Sequence, residues 1–273
     1  MRGALTVLLA GGTAAFLTSC KPAEEATQPL PAATREELFR EAHQLFLLRQ
    51  RDSAEVRLRQ VVAADSAYMP ALQDLAELWY DRAGEGKESG PRETAMRTAF
   101  RYFARLESLG QKEMQTYERL CELALGLKDN RGFLLYAKRN AEKYPYDRQY
   151  YNLGLAYFEA GDYATCVKSQ KDALEKFKES NYIGGFYRQM GRAYMKMDRD
   201  QTAERTLSAG VQAADARLAE LKRRGGGEGE MIHRLSDDRI SMLLLLKRLH
   251  MTYRDDEKLR KVEQQLKDAG YGK

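Results

Sequence analysis

The sequence predicts an all-α fold assembled from repeated helix pairs. Three observations predict it. From Thr34 onward apolar residues recur at three- and four-residue intervals, with almost no strand-like alternation. Small residues flanked by aromatics then return with a period near 34: Ala42 to Ala76 is 34 residues, Cys121 to Gly154 is 33, and Gly154 to Gly191 is 37. Turn residues such as Gly161-Asp162 divide the periodic stretches. A period of that size is one two-helix unit, and such units stack into a solenoid.

The chain opens with a different element. Arg2 precedes an apolar run from about Ala4 to Leu17, too short for a span of about 20 residues but the right size for a signal-peptide core. The run ends in Leu17-Thr18-Ser19-Cys20. This resembles the lipobox of bacterial lipoproteins: an aliphatic residue, two small residues and the acylated cysteine. The resemblance implies cleavage before Cys20, lipid (palmitate) attachment at Cys20, and a membrane held through that lipid. Lys21, where an Asp would retain the protein at the inner membrane in enteric bacteria, implies the periplasmic face of the outer membrane. An ordinary secretory signal and an uncleaved anchor are the alternatives for residues 1–20. Residues 21–34 carry Pro22, Pro29 and Pro31 and form a Pro/Ala-rich tether. At about 3.1 Å per residue it reaches some 40 Å. Thr34 and Glu37 have capping-box spacing, which predicts the first helix to begin there.

Residues 35–224 hold the repeats. The best is 147–174, where Tyr150, Leu153, Gly154 and Tyr157 precede the turn at Gly161-Asp162-Tyr163, and Cys166 and Ala173 hold the small positions of the second helix. This resembles the tetratricopeptide (TPR) repeat. Tyr187, Met190, Gly191 and Tyr194 repeat the register, with Ala203 and Gly210. Tyr117, Leu120, Cys121 and Ala124 do so with Pro145 closing, although Phe133 falls on a small position. Leu72, Leu75, Ala76 and Trp79 start another copy, whose second helix, near Ala95, Ala99 and Tyr102, is delayed by the Gly-rich stretch 84–91. Leu38, Ala42, Leu45, Ala54, Leu58 and Val61 form the first. Residues 225–273, a Gly-rich break followed by two helices near 231–251 and 257–267, form a divergent capping pair. Leu243 to Leu246 is apolar all round, which predicts a sandwiched helix. The resemblance implies a right-handed α-solenoid of about five to six TPR-like pairs.

Composition narrows the function. A 43% hydrophobic share excludes a disordered polymer. The net charge of +5, or +4 once Arg2 is removed, gives no ground for nucleic-acid binding. His43, His233 and His250 lack metal-ligand spacing, and there is no P-loop, G-x-S-x-G or CxxC, so no enzyme, metal or cofactor is expected. His43 reads as a surface or groove residue. Cys121 and Cys166 read as buried thiols at packing positions, with a disulfide as the alternative.

In the TPR family the first helix of each pair lines a concave groove. Carrying that register over places Glu77, Tyr80, Asp81, Glu118 and Glu122 in its N-terminal half. Arg148, Tyr151, Phe158, Arg188, Arg192, Met195 and Lys196 fall in its C-terminal half. The expected groove is acidic at one end and basic with aromatics at the other, suiting a peptide of opposite polarity. The alternative is that the same positions are solvated charge on a helix face and bind nothing. The lysine and asparagine set that clamps C-terminal carboxylates is not present; Asn152 alone does not make it. Several lipoproteins share this plan: the lipoprotein of the β-barrel assembly machine, the pilotin of type IV pili, and adaptors of cell-wall enzymes. The implied function is a non-catalytic scaffold binding a protein or peptide partner in the cell envelope, in outer-membrane protein or pilus assembly. The alternative is a regulatory subunit of a peptidoglycan hydrolase or synthase.

Overall fold

The computed structural model describes residues 31–86, 88–225 and 229–271. Cys20, the signal segment and most of the tether lie outside them. The described residues form six helix pairs. These are α1 (Ala32–Leu47) with α2 (Arg51–Ala64), α3 (Met69–Glu85) with α4 (Ser89–Ser108), and α5 (Met114–Gly126) with α6 (Asn130–Lys143). Then come α7 (Asp147–Glu159) with α8 (Tyr163–Lys176), α9 (Ile183–Lys196) with α10 (Asp200–Arg224), and α11 (Gly229–Tyr253) with α12 (Asp256–Asp268). Each helix packs on its pair partner, and the second helix of each of the first five pairs packs on the first helix of the next. The fold is therefore an all-α, TPR-like α-solenoid.

A common turn joins the helices within five pairs. Each has a residue of positive φ: Arg49, Lys128, Gly161, Asp198 and Arg254. The next residue's amide bonds back five residues, as in Gln50 N to Leu45 O at 2.9 Å, Asp162 N to Tyr157 O at 2.9 Å and Asp255 N to His250 O at 3.0 Å. This Schellman closure satisfies carbonyls left open at the helix end. Three following helices are then capped by aspartate: Asp129 Oδ1 accepts from Gly132 N at 3.0 Å, Asp162 Oδ1 from Thr165 N at 3.1 Å, and Asp255 Oδ1 from Lys258 N at 3.1 Å. Only Gly161 among the five suits positive φ without a Cβ penalty.

The small positions of the register are where the helices touch. Ala42, Ala54, Ala76, Ala99, Cys166, Ala173 and Ala203 are fully buried. Gly154 lies against Gln170, where a Cβ would overlap the side-chain amide. That amide is part of a buried polar bridge: Gln170 Nε2 donates to Gln189 Oε1 at 2.8 Å and to Tyr150 O at 3.2 Å, and Gln189 Nε2 donates to Tyr151 O at 3.2 Å. Phe103, Phe186, Leu120 and Leu207 are fully buried and fill the space beside these crossings. Phe133, unexpected at a small position, is 2% exposed and packs in the same core.

Two local expectations change. Thr34 is not the first cap: α1 begins at Ala32 after Pro31, with no side-chain cap. Proline's fixed φ and two alanines start the helix earlier. Only residues 86–88 of the stretch 84–91 lie between the helices of the second pair. Gly84 and Glu85 extend α3 to 17 residues, and Ser89-Gly90-Pro91 begins α4, whose first turn needs no proline N–H. The last two long helices, α10 and α11, have 25 residues each. Leu243 and Leu246 are buried and Leu244 and Leu245 half-buried, so α11 is sandwiched by α9, α10 and α12.

Cys121 and Cys166 are unpaired and buried. Burial pushes both thiols up to about 12. That leaves almost no thiolate at neutral pH.

Candidate functional site

The odd-numbered helices meet side chain to side chain and build one continuous face. At its N-terminal end His43 of α1 lies between Phe39 and Phe46, with ring centroids 5.6 and 6.3 Å away. Its Nδ1 is 2.7 Å from Asp74 Oδ2 on α3. Asp74 is buried, which raises its pKa, while the bond from His43 opposes the rise.

The centre joins α3, α5 and α7. The Arg119 guanidinium lies 3.9 Å from the centroid of the Tyr80 ring. Arg119 reaches Glu77 at 3.7 Å and Glu122 at 3.4 Å. Tyr80 Oη donates to Glu122 Oε2 at 2.5 Å. Arg148 approaches Glu118 at 3.4 Å and Glu122 at 3.8 Å, and buried Gln149 donates to Glu118 at 3.0 Å. Asp81 is 3.7 Å from Arg51 on α2. Burial raises the Glu77 pKa, and Arg119 pulls it back.

The C-terminal end joins α7, α9 and α11. Arg188 Nη2 donates to Tyr151 Oη at 2.8 Å and lies 3.2 Å from Asp238 Oδ1. Asp238 is 4% exposed; burial raises its pKa and Arg188 lowers it. Tyr151 and Tyr182 sit with centroids 5.3 Å apart, and Arg234 lies over Tyr182 at 4.6 Å. Arg192 lies over the Phe158 ring at 4.1 Å. Phe158, Arg192, Met195 and Lys196 line a cleft of about 420 Å³ with Leu245, Arg248 and Leu249 of α11.

All the residues expected to line the groove thus stand on the odd-numbered helices, but their charges are arranged differently from the expectation. The acidic half also holds cations. Arg119 and Arg148 stand inside it, and Arg51 reaches in from α2, so the carboxylates are spent on neighbours in the stack. The basic half is partly covered by Asp238. Arg119, Asp238 and Arg248 were not singled out from the sequence. Arg119 adjoins a register position, while α11 lies beyond the last clear repeat and offered no register to read.

Among the described residues no group of three or more His, Cys, Asp or Glu could hold a metal ion, and no helix is long and apolar enough to cross a membrane.

No protein-family profile matches this sequence, and no curated protein matches it. Solved structures do. The crystal structure of the MamA protein superimposes with a TM-score of 0.53 at 15% identity, over 69% of this chain and 96% of that one. YrrB, described as a TPR protein with an unusual peptide-binding site, gives 0.51 at 12% identity, over 68% and 90%. At these identities the likeness establishes a shared TPR-like fold.

Proposed function

We propose that the chain is a non-catalytic scaffold that binds a protein or peptide partner along the face of its odd-numbered helices. The observation that carries this reading is the composition of that face. Tyr80, Tyr151, Tyr182, Phe158, Arg119, Arg188 and Arg192 gather there from successive pairs. Aromatic and arginine side chains concentrate binding energy, because they bury much area at low entropic cost. Fixed on a rigid stack, they are ordered before a partner arrives. The peptide-binding description of YrrB gives a precedent on a similar fold.

The anchor belongs to the same proposal. Cys20 is acylated after cleavage, residues 21–34 act as the spacer, and the stack stands off the periplasmic face of a bacterial outer membrane. Support comes from the lipobox spelling of residues 17–20. Incorporation of labelled palmitate that disappears in Cys20→Ser tests it; incorporation retained in that variant contradicts it.

A photo-crosslinking residue placed at Tyr151 or Arg192, compared with Arg101 or Lys171 on even-numbered helices, tests the face. Adducts from the first two positions alone are expected. Equal adducts from all four contradict the assignment. The captured partner distinguishes outer-membrane protein or pilus assembly from control of a peptidoglycan hydrolase or synthase.

A further inference from the structure

We propose that the cleft between α7, α9 and α11 docks an acidic peptide segment bearing one large apolar side chain. This rests on the odd-helix face being the partner surface and narrows it to one site and one chemistry. Elsewhere on the face the cations have partners: Arg51, Arg119, Arg148 and Arg188 each lie within 4.0 Å of a carboxylate. In this cleft Arg192, Lys196 and Arg248 have none among the described residues. The one carboxylate on the cleft rim, Asp200, accepts from Tyr253 Oη at 2.5 Å.

The cations are placed at a cost to the helix that carries them. Arg192 and Lys196 are four residues apart on α9, a like-charge spacing that disfavours the helix. Arg248 adds a third positive charge from α11. Carboxylates from a partner relieve that repulsion. Arg192 is also available for the task. Its Cζ lies 4.1 Å from the centroid of the Phe158 ring, and its N–H groups bond no described residue, so they can meet a carboxylate. Phe158, Met195, Leu245 and Leu249 make the apolar floor. A cavity of about 420 Å³ has room for a large side chain. A sugar–phosphate polymer would satisfy the cations but leave that floor unfilled. A peptide with two or more acidic residues around a Leu, Phe or Trp satisfies both.

The test is a phage-displayed random dodecapeptide library panned against the chain, followed by fluorescence anisotropy with the selected peptides. The expected consensus is acidic residues flanking a bulky apolar one. Affinity should fall about tenfold or more in Arg192→Gln/Lys196→Gln/Arg248→Gln, since three partly exposed pairs are lost. It should change less than twofold in Arg101→Gln/Lys168→Gln/Lys171→Gln, which removes equal charge from exposed positions on even-numbered helices. Arg248→Glu, at an exposed position, replaces the triple variant if that loses helicity, and should weaken binding several-fold. A consensus without acidic residues, or an acidic peptide indifferent to both cleft variants, overturns the proposal. If such a peptide is weakened by Tyr80→Ala/Arg148→Gln instead, the odd-helix face survives and the cleft does not. If neither set matters, both readings fall. A twelve-base-pair duplex that binds as tightly and is lost equally in the triple variant also overturns the proposal, since it marks a general polyanion patch.

Discussion

Replacing Gly154 with alanine sets two opposed effects against each other. In a helix interior Gly→Ala normally gains about 1 kcal/mol. Here the new methyl overlaps the Gln170 amide, which is fully buried and cannot swing into solvent. Displacing it strains the contact by about 1–3 kcal/mol. It also breaks the bonds to Gln189 Oε1 and Tyr150 O, at about 1 kcal/mol each. The net is a loss of about 2–4 kcal/mol. Gln170→Ala alone loses the same bonds and leaves a void, for a similar cost. In the double variant the methyl enters the space the amide vacated. The remaining neighbour, Gln189 Oε1 at 2.8 Å from the added carbon, must shift slightly, and with its own donor gone only the Nε2 bond to Tyr151 O holds that amide. Gly154→Ala in that background should therefore be neutral or stabilising by up to about 1 kcal/mol, a coupling of about 3 kcal/mol. Urea unfolding of the four proteins, followed by far-ultraviolet circular dichroism, measures it. Additive effects would refute the packing argument.

Other consequences follow from the same structure. Lys128→Gly should stabilise by about 0.5–1 kcal/mol, because Lys128 sits at φ 57 in a turn where a side chain costs energy; a lower unfolding midpoint would count against the turn. Leu207→Ala, in the core between α9 and α10, should cost about 2–5 kcal/mol. Cys121 and Cys166 in a Cys20→Ser chain should resist maleimide at pH 8 and both react in denaturant without reductant; rapid native labelling, or none in denaturant, contradicts buried free thiols. Asp238, whose folded pKa is raised, binds its proton more tightly in the native state. Stability linked to it is greatest below the unfolded value of about 3.8 and declines as pH rises through the folded one. The stability of wild type minus Asp238→Asn should fall across that window; a rising difference would contradict the assignment.

The solenoid was legible because its contacts are short. Helices that cross closely admit only small side chains, so Ala76, Cys121, Gly154 and Gly191 mark the crossings in the sequence itself. The turns were legible for Gly161-Asp162 but not for Lys128 or Asp198, since residues of ordinary type occupy positive φ there. Charge was legible only as far as the face. The register sends Glu77, Glu122 and Arg148 to one side of the stack, yet whether they stay open depends on Arg119 reaching across from the next pair. Buried Gln149, Gln170 and Gln189 escaped notice because polar residues on a helix ordinarily read as solvated. Asp238 and Arg248 complete the C-terminal end from a helix without the repeat pattern.

Hydrogen–deuterium exchange of the chain with and without a selected acidic peptide tests the central claim most directly. The account predicts slowed exchange in α7, α9 and α11, around Phe158, Arg192 and Arg248, with α4, α6 and α8 unchanged. Protection confined to the even-numbered helices would contradict it.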